Sequence, residues 1–227
     1  MPGRSEIFKT DLFTCAWVPA KTGVPRARQR LMIALHGHGD SLDSYRGIKS
    51  EMRLPHFNYL LLNAPKKIDG GYAWGPLDPR GRRAMQALRR RLFALVEELK
   101  QAGWKTEEIY WLGHSQGALV ATDLVLHHPE AFGGVTCVSG YVKFFRGWKQ
   151  RLPRTGARRT PWLVTHGSRD RIIPLKEIRN DVRTLRAGDV PVSYLEFGTK
   201  GHDFDYEREV PLIRKWLAEG PASLEFQ

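Results

Sequence analysis

Short continuous apolar runs alternate along the chain with longer stretches whose apolar positions have helical spacing. The runs predict strands near 12–18, 31–35, 58–62, 108–112, 134–138, 161–165 and 190–197. The helical spacing predicts helices near 82–102, 118–126, 174–186 and 206–218. Continuous apolar strands separated by helices are typical of a parallel sheet that is covered on both faces. We therefore predict an α/β fold with a mostly parallel central sheet and helices on both faces.

One junction between a predicted strand and a predicted helix carries a reactive residue type. The strand 108–112 leads through a tight turn into the helix 118–126, and Ser115 lies in the turn. Gly113 and Gly117 flank this serine two residues away on either side, where a side chain would collide with the neighbouring strand or helix. The spacing G-x-S-x-G in a strand-turn-helix context predicts a nucleophile elbow.

Two further residues lie where a parallel sheet collects catalytic groups, in loops after the carboxyl ends of strands. His202 follows the last predicted strand, 190–197, and Asp170 follows the preceding one, 161–165. The order Ser115, Asp170, His202 is the order expected for a serine, acid and histidine set on a fold of this kind. The sequence therefore predicts that these three side chains meet.

Other acidic residues are placed less well for orienting a histidine. Asp189 precedes a strand, so we expect it at the opposite end of the sheet, and Asp123 lies inside the helix after the elbow. Asp203 and Asp205 adjoin the histidine in sequence, which makes them local alternatives rather than preferred ones.

The remaining histidines suit structural roles better than catalytic ones. His127 and His128 fall at the predicted end of a helix, where the helix dipole favours them. His114 occupies the variable position of the elbow, His36 is expected to brace a glycine turn, and His166 is expected to pack a loop.

The charge of the chain is unevenly distributed. The net charge is +12 and the pI is near 10.0. Residues 139–160 contain no acidic residue but hold seven basic ones: Lys143, Arg146, Lys149, Arg151, Arg154, Arg158 and Arg159. A second basic group lies on the predicted helix 82–102, whose apolar side is regular, so we interpret its arginines as the solvated face.

Length and composition indicate the number of domains and the cellular compartment. The 227 residues, 41% of them hydrophobic, suffice for one sizeable core. Residues 1–17 mix charges into their apolar positions and so do not resemble a signal peptide, and no run approaches the ~20 apolar residues of a membrane span. Cys15 and Cys137 fall in predicted strands and are interpreted as buried thiols rather than a disulfide. We expect a soluble, cytoplasmic protein.

Four motifs lie in or after the predicted strands: His36-Gly37-His38-Gly39-Asp40, Gly113-x-Ser115-Gln116-Gly117, His166-Gly167-x-x-Asp170 with Ile173-Pro174, and Gly201-His202. Together they resemble the phospholipase/carboxylesterase family of α/β-hydrolases, which includes acyl-protein thioesterases and small carboxylesterases. The resemblance spans about residues 30–218 and implies the α/β-hydrolase fold. It implies one domain over 1–220, followed by a flexible tail at 221–227.

The resemblance also implies a role for each matching residue. Ser115 would be the nucleophile, His202 the general base and acid, and Asp170 the group that orients the imidazole. The oxyanion hole would be formed by the backbone N–H groups of Gln116 and His38. The implied reaction is hydrolysis of carboxylic esters or thioesters, including lysophospholipids or acylated proteins.

The chain departs from the family pattern at two places. Ala118 stands where many thioesterases have a second glycine, and His38 stands where an aliphatic residue is common. Neither change removes a backbone donor, but both bear on the choice of substrate.

Aromatic residues in two predicted loops offer a hypothesis for substrate binding. The loops follow the strands 58–62 and 134–138, and we expect both to overhang the serine. Their aromatic side chains would wall an acyl groove, with neighbouring basic residues attracting an anionic head group or membrane surface. The alternative is that the aromatics only anchor long loops and the basic residues are solvated. The five aromatic candidates are Tyr72, Trp74, Phe144, Phe145 and Trp148.

Two classes of function follow from the sequence. The first is a cofactor-free serine hydrolase that acts on a small-molecule or lipid acyl ester. The second is a catalytically slow α/β-hydrolase fold that serves as a ligand-binding or interaction module through its basic surface. No nucleic-acid partner is expected, since no recognised binding motif is present, and no metal site is expected from the ligand spacing. Oligomeric state is not set by the sequence.

Overall fold

The computed structural model describes residues 8–75, 82–142 and 148–224. The strands are β1 (Cys15–Val18), β2 (Arg30–Leu35), β3 (Phe57–Leu62), β4 (Lys66–Ile68), β5 (Gly71–Ala73), β6 (Ile109–His114), β7 (Gly134–Val138), β8 (Trp162–Gly167) and β9 (Val192–Phe197). The α-helices are α1 (Ile48–Met52), α2 (Arg82–Gln101), α3 (Gln116–His127), α4 (Trp148–Arg151), α5 (Leu175–Arg186) and α6 (Tyr206–Glu219).

A seven-stranded sheet forms the centre of the fold, with the strand order β1-β3-β2-β6-β7-β8-β9. Strand β1 pairs antiparallel with β3, and every other pairing in this sheet is parallel. The predicted α/β-hydrolase fold, with a mostly parallel sheet, is confirmed. Because the carboxyl ends of β6, β7, β8 and β9 lie at one edge, the loops after these strands are brought together.

The continuous apolar strands are explained by a core on each face of the sheet. Along β2, Leu31, Ile33 and Leu35 pack into one core, whereas Met32 and Ala34 pack into the other. Successive side chains of a strand point to opposite faces, so both alternating sets must be apolar when both faces are covered. Helices α2 and α3 cover the first face, and α1 and α6 cover the second.

The structure departs from the predicted elements at β1 and in the stretch after β3. The predicted strand 12–18 forms only over Cys15–Val18. Part of the stretch after β3, predicted as a loop, instead forms a hairpin of β4 and β5. Three-residue strands are too short to show periodicity, but the turn has a signal: Asp69-Gly70, with Gly70 at φ +83°, is a typical two-residue hairpin connection.

Three further expectations concern cysteines, membrane spans and the chain's last residues. Both cysteines are free thiols, as predicted, but only Cys137 is buried, since Cys15 is half-buried in the outermost strand. In the described part of the chain, no helix has the length and apolar character needed to cross a bilayer. The segment predicted as a tail begins with a 3-10 helix, Pro221–Leu224, and residues 225–227 lie outside the described residues. The division into a domain over 1–220 and a tail stays a prediction.

Candidate active site

The turn between β6 and α3 holds Ser115 in a strained conformation. Its backbone has φ 53° and ψ −116°, and its N–H donates to the carbonyl of Val138 at 2.9 Å. A Cβ on Gly113 would overlap the backbone of the first turn of α3, and a Cβ on Gly117 would overlap the carbonyl of Leu35. Strain at a non-glycine residue persists only where the surroundings impose it. The two glycines allow the close packing that holds this serine above the sheet edge.

The three side chains predicted to meet form one chain of hydrogen bonds. His202 Nε2 lies 2.8 Å from Ser115 Oγ, and His202 Nδ1 lies 2.8 Å from Asp170 Oδ2. A carboxylate can only accept, so this geometry puts the imidazole proton on Nδ1 and leaves Nε2 free to accept from the serine hydroxyl. The loops after β6, β8 and β9 supply one member each.

Asp170 is fixed on both oxygens. Oδ1 accepts from the backbone N–H groups of Ile172 and Ile173, at 2.8 and 2.9 Å, and Oδ2 faces His202. Burial acts to raise the pKa of the Asp170 carboxyl, but these donors together hold the pKa below its ordinary value. His166 packs behind the loop as predicted, with Nε2 2.9 Å from the carbonyl of Ile173. The carboxylate is therefore charged and immobile beside the imidazole.

His36 braces the glycine turn after β2, as predicted. Its Nδ1 lies 2.7 Å from the carbonyl of Gly37, and its Nε2 accepts from the N–H of Ala64 at 3.0 Å. Burial lowers the pKa of His36, which matches a neutral ring that donates through one nitrogen and accepts through the other. This histidine fixes the turn and has no path to a substrate, since it is completely buried.

The β4–β5 hairpin fastens the same turn from outside. The N–H of Gly39 donates to the carbonyl of Tyr72, and the N–H of Tyr72 donates to the carbonyl of Asp40, each at 2.9 Å. The hairpin that the sequence did not predict is thus part of the support for the glycine turn.

Two backbone donors are left unused, one in the glycine turn after β2 and one at the start of α3. Within the described residues, the N–H groups of His38 and Gln116 make no intramolecular hydrogen bond. The Gln116 side chain is engaged, because its Oε1 accepts from the N–H of Trp74 at 3.0 Å and its Nε2 donates to the carbonyl of Gly75 at 2.7 Å. A side chain held in this way fixes the start of α3 and the adjacent backbone N–H. Free N–H groups that are held in place are what an oxyanion hole requires.

His114, interpreted from the sequence as the variable residue of the elbow, contacts the loop that carries His202. Its Nε2 donates to the backbone carbonyl of His202 at 2.9 Å, and its ring stacks on Phe204 with centroids 6.2 Å apart. Burial lowers the pKa of His114, so the ring is neutral and holds the loop through a single N–H. No sequence signal distinguishes this role, since it depends on a contact across 88 residues.

Comparison with known proteins settles the family. A match to the Phospholipase/Carboxylesterase family covers residues 22–217. The chain belongs to the phospholipase/carboxylesterase family. Among curated relatives, it is 28% identical over 124 residues to a probable inactive carboxylesterase of rice (Oryza sativa subsp. japonica), covering 55% of this chain and 50% of the relative. It is 26% identical over 124 residues to the carboxylesterase SOBER1 of Arabidopsis thaliana, covering 55% and 54%. The match therefore spans about half the length of each of these relatives.

A solved structure supports the same fold. Acyl-protein thioesterase 2 of Zea mays superposes with a TM-score of 0.74 at 21% identity, covering 92% of this chain and 99% of that one. At this identity the likeness is one of architecture.

One departure from the family pattern is accommodated by a neighbour. Ala118 is completely buried on the first turn of α3, and a Cβ on Gly140 would overlap its methyl group. The glycine in the loop after β7 therefore leaves room for the alanine.

The five predicted substrate contacts fall into different situations. Tyr72 is half-buried on the hairpin, whereas Trp74 is 2% exposed and donates its indole N–H to the carbonyl of His36 at 2.8 Å. Phe144 and Phe145 lie outside the described residues, and although Trp148 begins α4, its side chain is outside them too. Contact of these residues with substrate stays a prediction.

The structure describes only part of the basic segment 139–160. Lys143 and Arg146 lie outside the described residues, whereas Arg158 forms an ion pair of 2.6 Å with Asp189.

The other acidic residues considered as partners of His202 have other surroundings. Asp123 accepts two hydrogen bonds from the Arg89 guanidinium, at 2.7 and 2.8 Å. Asp205 caps α6 by accepting from the backbone N–H of Arg208 at 3.1 Å, and Asp203 is exposed. Within the described residues, none of these acids contacts the His202 imidazole.

Proposed function

We propose that this chain is a serine hydrolase that cleaves carboxylic esters or thioesters through an acyl-enzyme intermediate. The observation that carries the proposal is the hydrogen-bonded chain from Ser115 through His202 to Asp170, with separations of 2.8 Å at both links. Membership of the phospholipase/carboxylesterase family supports the same reaction class.

Acylation begins with attack by the Ser115 oxygen on the acyl carbonyl carbon. A serine hydroxyl is a poor nucleophile at neutral pH, so His202 Nε2 takes its proton as the bond forms. Asp170, charged and fixed by two backbone donors, holds the imidazole in the tautomer that accepts at Nε2 and stabilises the imidazolium. The same proton then passes from Nε2 to the leaving alcohol or thiol.

The developing oxyanion would be bound by the free N–H groups of His38 and Gln116. Both donors belong to turns braced by buried side chains, so they need not reorganise when the charge appears. Water then attacks the acyl-enzyme with His202 again acting as the base. Release of the carboxylic acid restores the serine.

The substrate we favour is a small-molecule or lipid acyl ester, including lysophospholipids and acylated proteins. Tyr72 would wall the acyl groove from the hairpin, while the buried Trp74 would support that wall from behind. Peripheral contact with an anionic membrane through the segment 139–160, and a cytoplasmic location, remain predictions. Neutralising Lys149 together with Lys143 and Arg146 should weaken binding to anionic vesicles without loss of small-ester turnover, and unchanged vesicle binding would reject membrane contact.

The test is hydrolysis of a p-nitrophenyl ester series from acetate to laurate, followed by acyl thioesters and lysophosphatidylcholine. Ser115→Ala should lower kcat by on the order of 10⁶, because Ser115, His202 and Asp170 would act as one unit and the loss of one removes the effect of all three. Ser50→Ala is the matched control, since this hydroxyl in α1 donates to the carbonyl of Gly47 at 2.7 Å, and the variant should keep wild-type turnover. A Ser115→Ala rate within tenfold of wild type would reject the assignment.

A second function has one specific observation in its favour. The relatives of this chain include one named as a probable inactive carboxylesterase. The alternative is a catalytically slow module that binds ligands or partners through its basic surface. Equal inactivity of wild type and Ser115→Ala on all three substrate types would favour it.

A further inference from the structure

A buried ion pair lies beneath the loop that carries His202. The Lys200 side chain is 2% exposed and the Glu209 side chain is fully buried, with Nζ 3.4 Å from Oε2. The ammonium also donates to the Oγ of Ser139, which is itself fully buried. Lysine and glutamate are almost never fully buried unless they are paired, so this cluster requires a reason.

The acidic partner is fixed as firmly as the lysine. Glu209 Oε2 accepts from the backbone N–H of Asp205 at 2.8 Å, which ties the start of α6 to the pair. Burial raises the pKa of the Glu209 carboxyl, and the Lys200 ammonium opposes that rise. The pair therefore joins α6 to the loop after β9.

Ser139 links the lysine to the turn that carries Ser115. This residue follows Val138, whose carbonyl accepts the Ser115 N–H at 2.9 Å. Ser139 has φ 46°, and its own N–H donates to the carbonyl of Thr165 at 2.9 Å. A hydroxyl beside a lysine amine resembles a nucleophile and base, but complete burial of Ser139 excludes it from contact with any substrate. Its bond to Lys200 instead fixes the strand end against which the elbow is held.

The backbone of Lys200 links it to the loops that carry Asp170 and His202. Its carbonyl accepts from the N–H of Arg169 at 3.0 Å, and Arg169 directly precedes Asp170. The lysine itself lies two residues before His202. The loops that carry the serine, the aspartate and the histidine thus all converge on one buried residue.

We propose that Lys200, neutralised by Glu209, is a positioning residue that sets the relative placement of the three loops carrying Ser115, Asp170 and His202. It touches neither substrate nor reacting atoms. The proposal rests on the proposed hydrolase function. Catalysis by such a set depends steeply on geometry, and a displacement of about 1 Å can cost roughly 100-fold in rate.

The test separates positioning from stability with an isosteric double variant. Lys200→Met alone leaves a buried carboxylate without its partner, so we expect a lower Tm and a lower kcat. Lys200→Met combined with Glu209→Gln removes both charges while keeping the volumes, and replacing a buried pair in this way is often neutral for stability. For the double variant we expect a Tm close to wild type, a KM within about twofold, and a kcat roughly 10- to 100-fold lower.

Arg89→Met is the matched control for the single variant. It breaks a largely buried ion pair with Asp123 that touches none of the three loops, with side-chain exposures of 20% and 7%. We expect it to lower Tm and to leave the kcat of the folded enzyme unchanged. Loss of kcat in this control comparable to the double variant would overturn the proposal, since any buried pair would then have the same effect.

The remaining outcomes are also decisive. A double variant with wild-type Tm and a kcat within twofold of wild type overturns the proposal. If the double variant does not fold, Ser139→Ala takes its place, because it removes only the hydroxyl that accepts from Lys200. It should lower kcat by roughly three- to tenfold at unchanged KM. An unchanged kcat in Ser139→Ala overturns the proposal. Wild type no faster than Ser115→Ala is a different failure, that of the proposed function, and the positioning role falls with it.

Discussion

Asp181, on the inner side of α5, gives a pH dependence whose sign and size follow from its surroundings. Its Oδ2 accepts from the backbone N–H of Val142 at 2.9 Å, at the start of the segment after β7. Burial raises the pKa of the Asp181 carboxyl from its ordinary value of 3.8 to about 6, although the Val142 hydrogen bond opposes this. A group that binds its proton more tightly in the folded state lowers stability as the pH rises from about 4 to about 6.

Asp181→Asn should remove this loss while keeping the amide's acceptor for Val142. A difference of about two pKa units corresponds to about 3 kcal/mol. The side chain is only partly buried, so solvent screening reduces this figure, and we expect about 1 to 2 kcal/mol. The variant should therefore gain this much in free energy of unfolding, relative to wild type, between pH 4.5 and pH 7.5.

Urea denaturation at both pH values, followed by circular dichroism, measures this gain. Asp189→Asn is the matched control, because its carboxylate is 76% exposed and the free energy should change by less than about 0.5 kcal/mol. Asp170, whose pKa is held low, contributes stability that is lost as the pH falls, but this contribution is the same in wild type and in Asp181→Asn. An Asp181→Asn effect of equal size at pH 4.5 and pH 7.5 would refute the reasoning.

Two further predictions concern the elbow. His114→Phe keeps a ring against Phe204 but removes the N–H that donates to the His202 carbonyl. We expect kcat to fall about fivefold, which corresponds to the loss of a net hydrogen bond of about 1 kcal/mol. Partial recovery of kcat in His114→Gln would support this, and a wild-type kcat in His114→Phe would contradict it. Gly117→Ala drives a Cβ into the Leu35 carbonyl, which cannot move without shifting the sheet, so we expect a loss of more than about 3 kcal/mol in thermal unfolding or failure to fold. Gly198→Ala, whose Cβ would meet nothing within 4 Å, is the control, and equal Tm changes in the two variants would rule out the steric argument.

Much of the architecture could be predicted because its signals are local. The apolar runs at β2, β3 and β7 lie within one residue of the observed strands, and the predicted fold and family are both confirmed. The elbow was predictable because two glycines at fixed spacing report a close approach of backbones. The roles of Ser115, Asp170 and His202 remain predictions that the observed hydrogen bonds support.

Other features left little or no local signal. The β4–β5 hairpin has strands too short for periodicity, and only its Asp69-Gly70 turn could have indicated it. Trp74 could be taken from the sequence for a groove wall, because an aromatic residue in a glycine-rich stretch gives no sign of whether it faces solvent or core. Its burial against His36 depends on how the hairpin folds back onto the glycine turn.

Local sequence signals were enough to predict the two-faced parallel sheet, the elbow and the chain order of the candidate catalytic residues. These follow from the periodicity of apolar positions and from the steric demands of glycine, which act over a few residues. The hydrogen bond from His114 to the His202 carbonyl, and the contacts of Lys200 with Ser139 and Glu209, became visible only in the folded chain. Those contacts join residues from separate strands and loops, and a polar side chain shows its partner only when the chain brings the two together away from water.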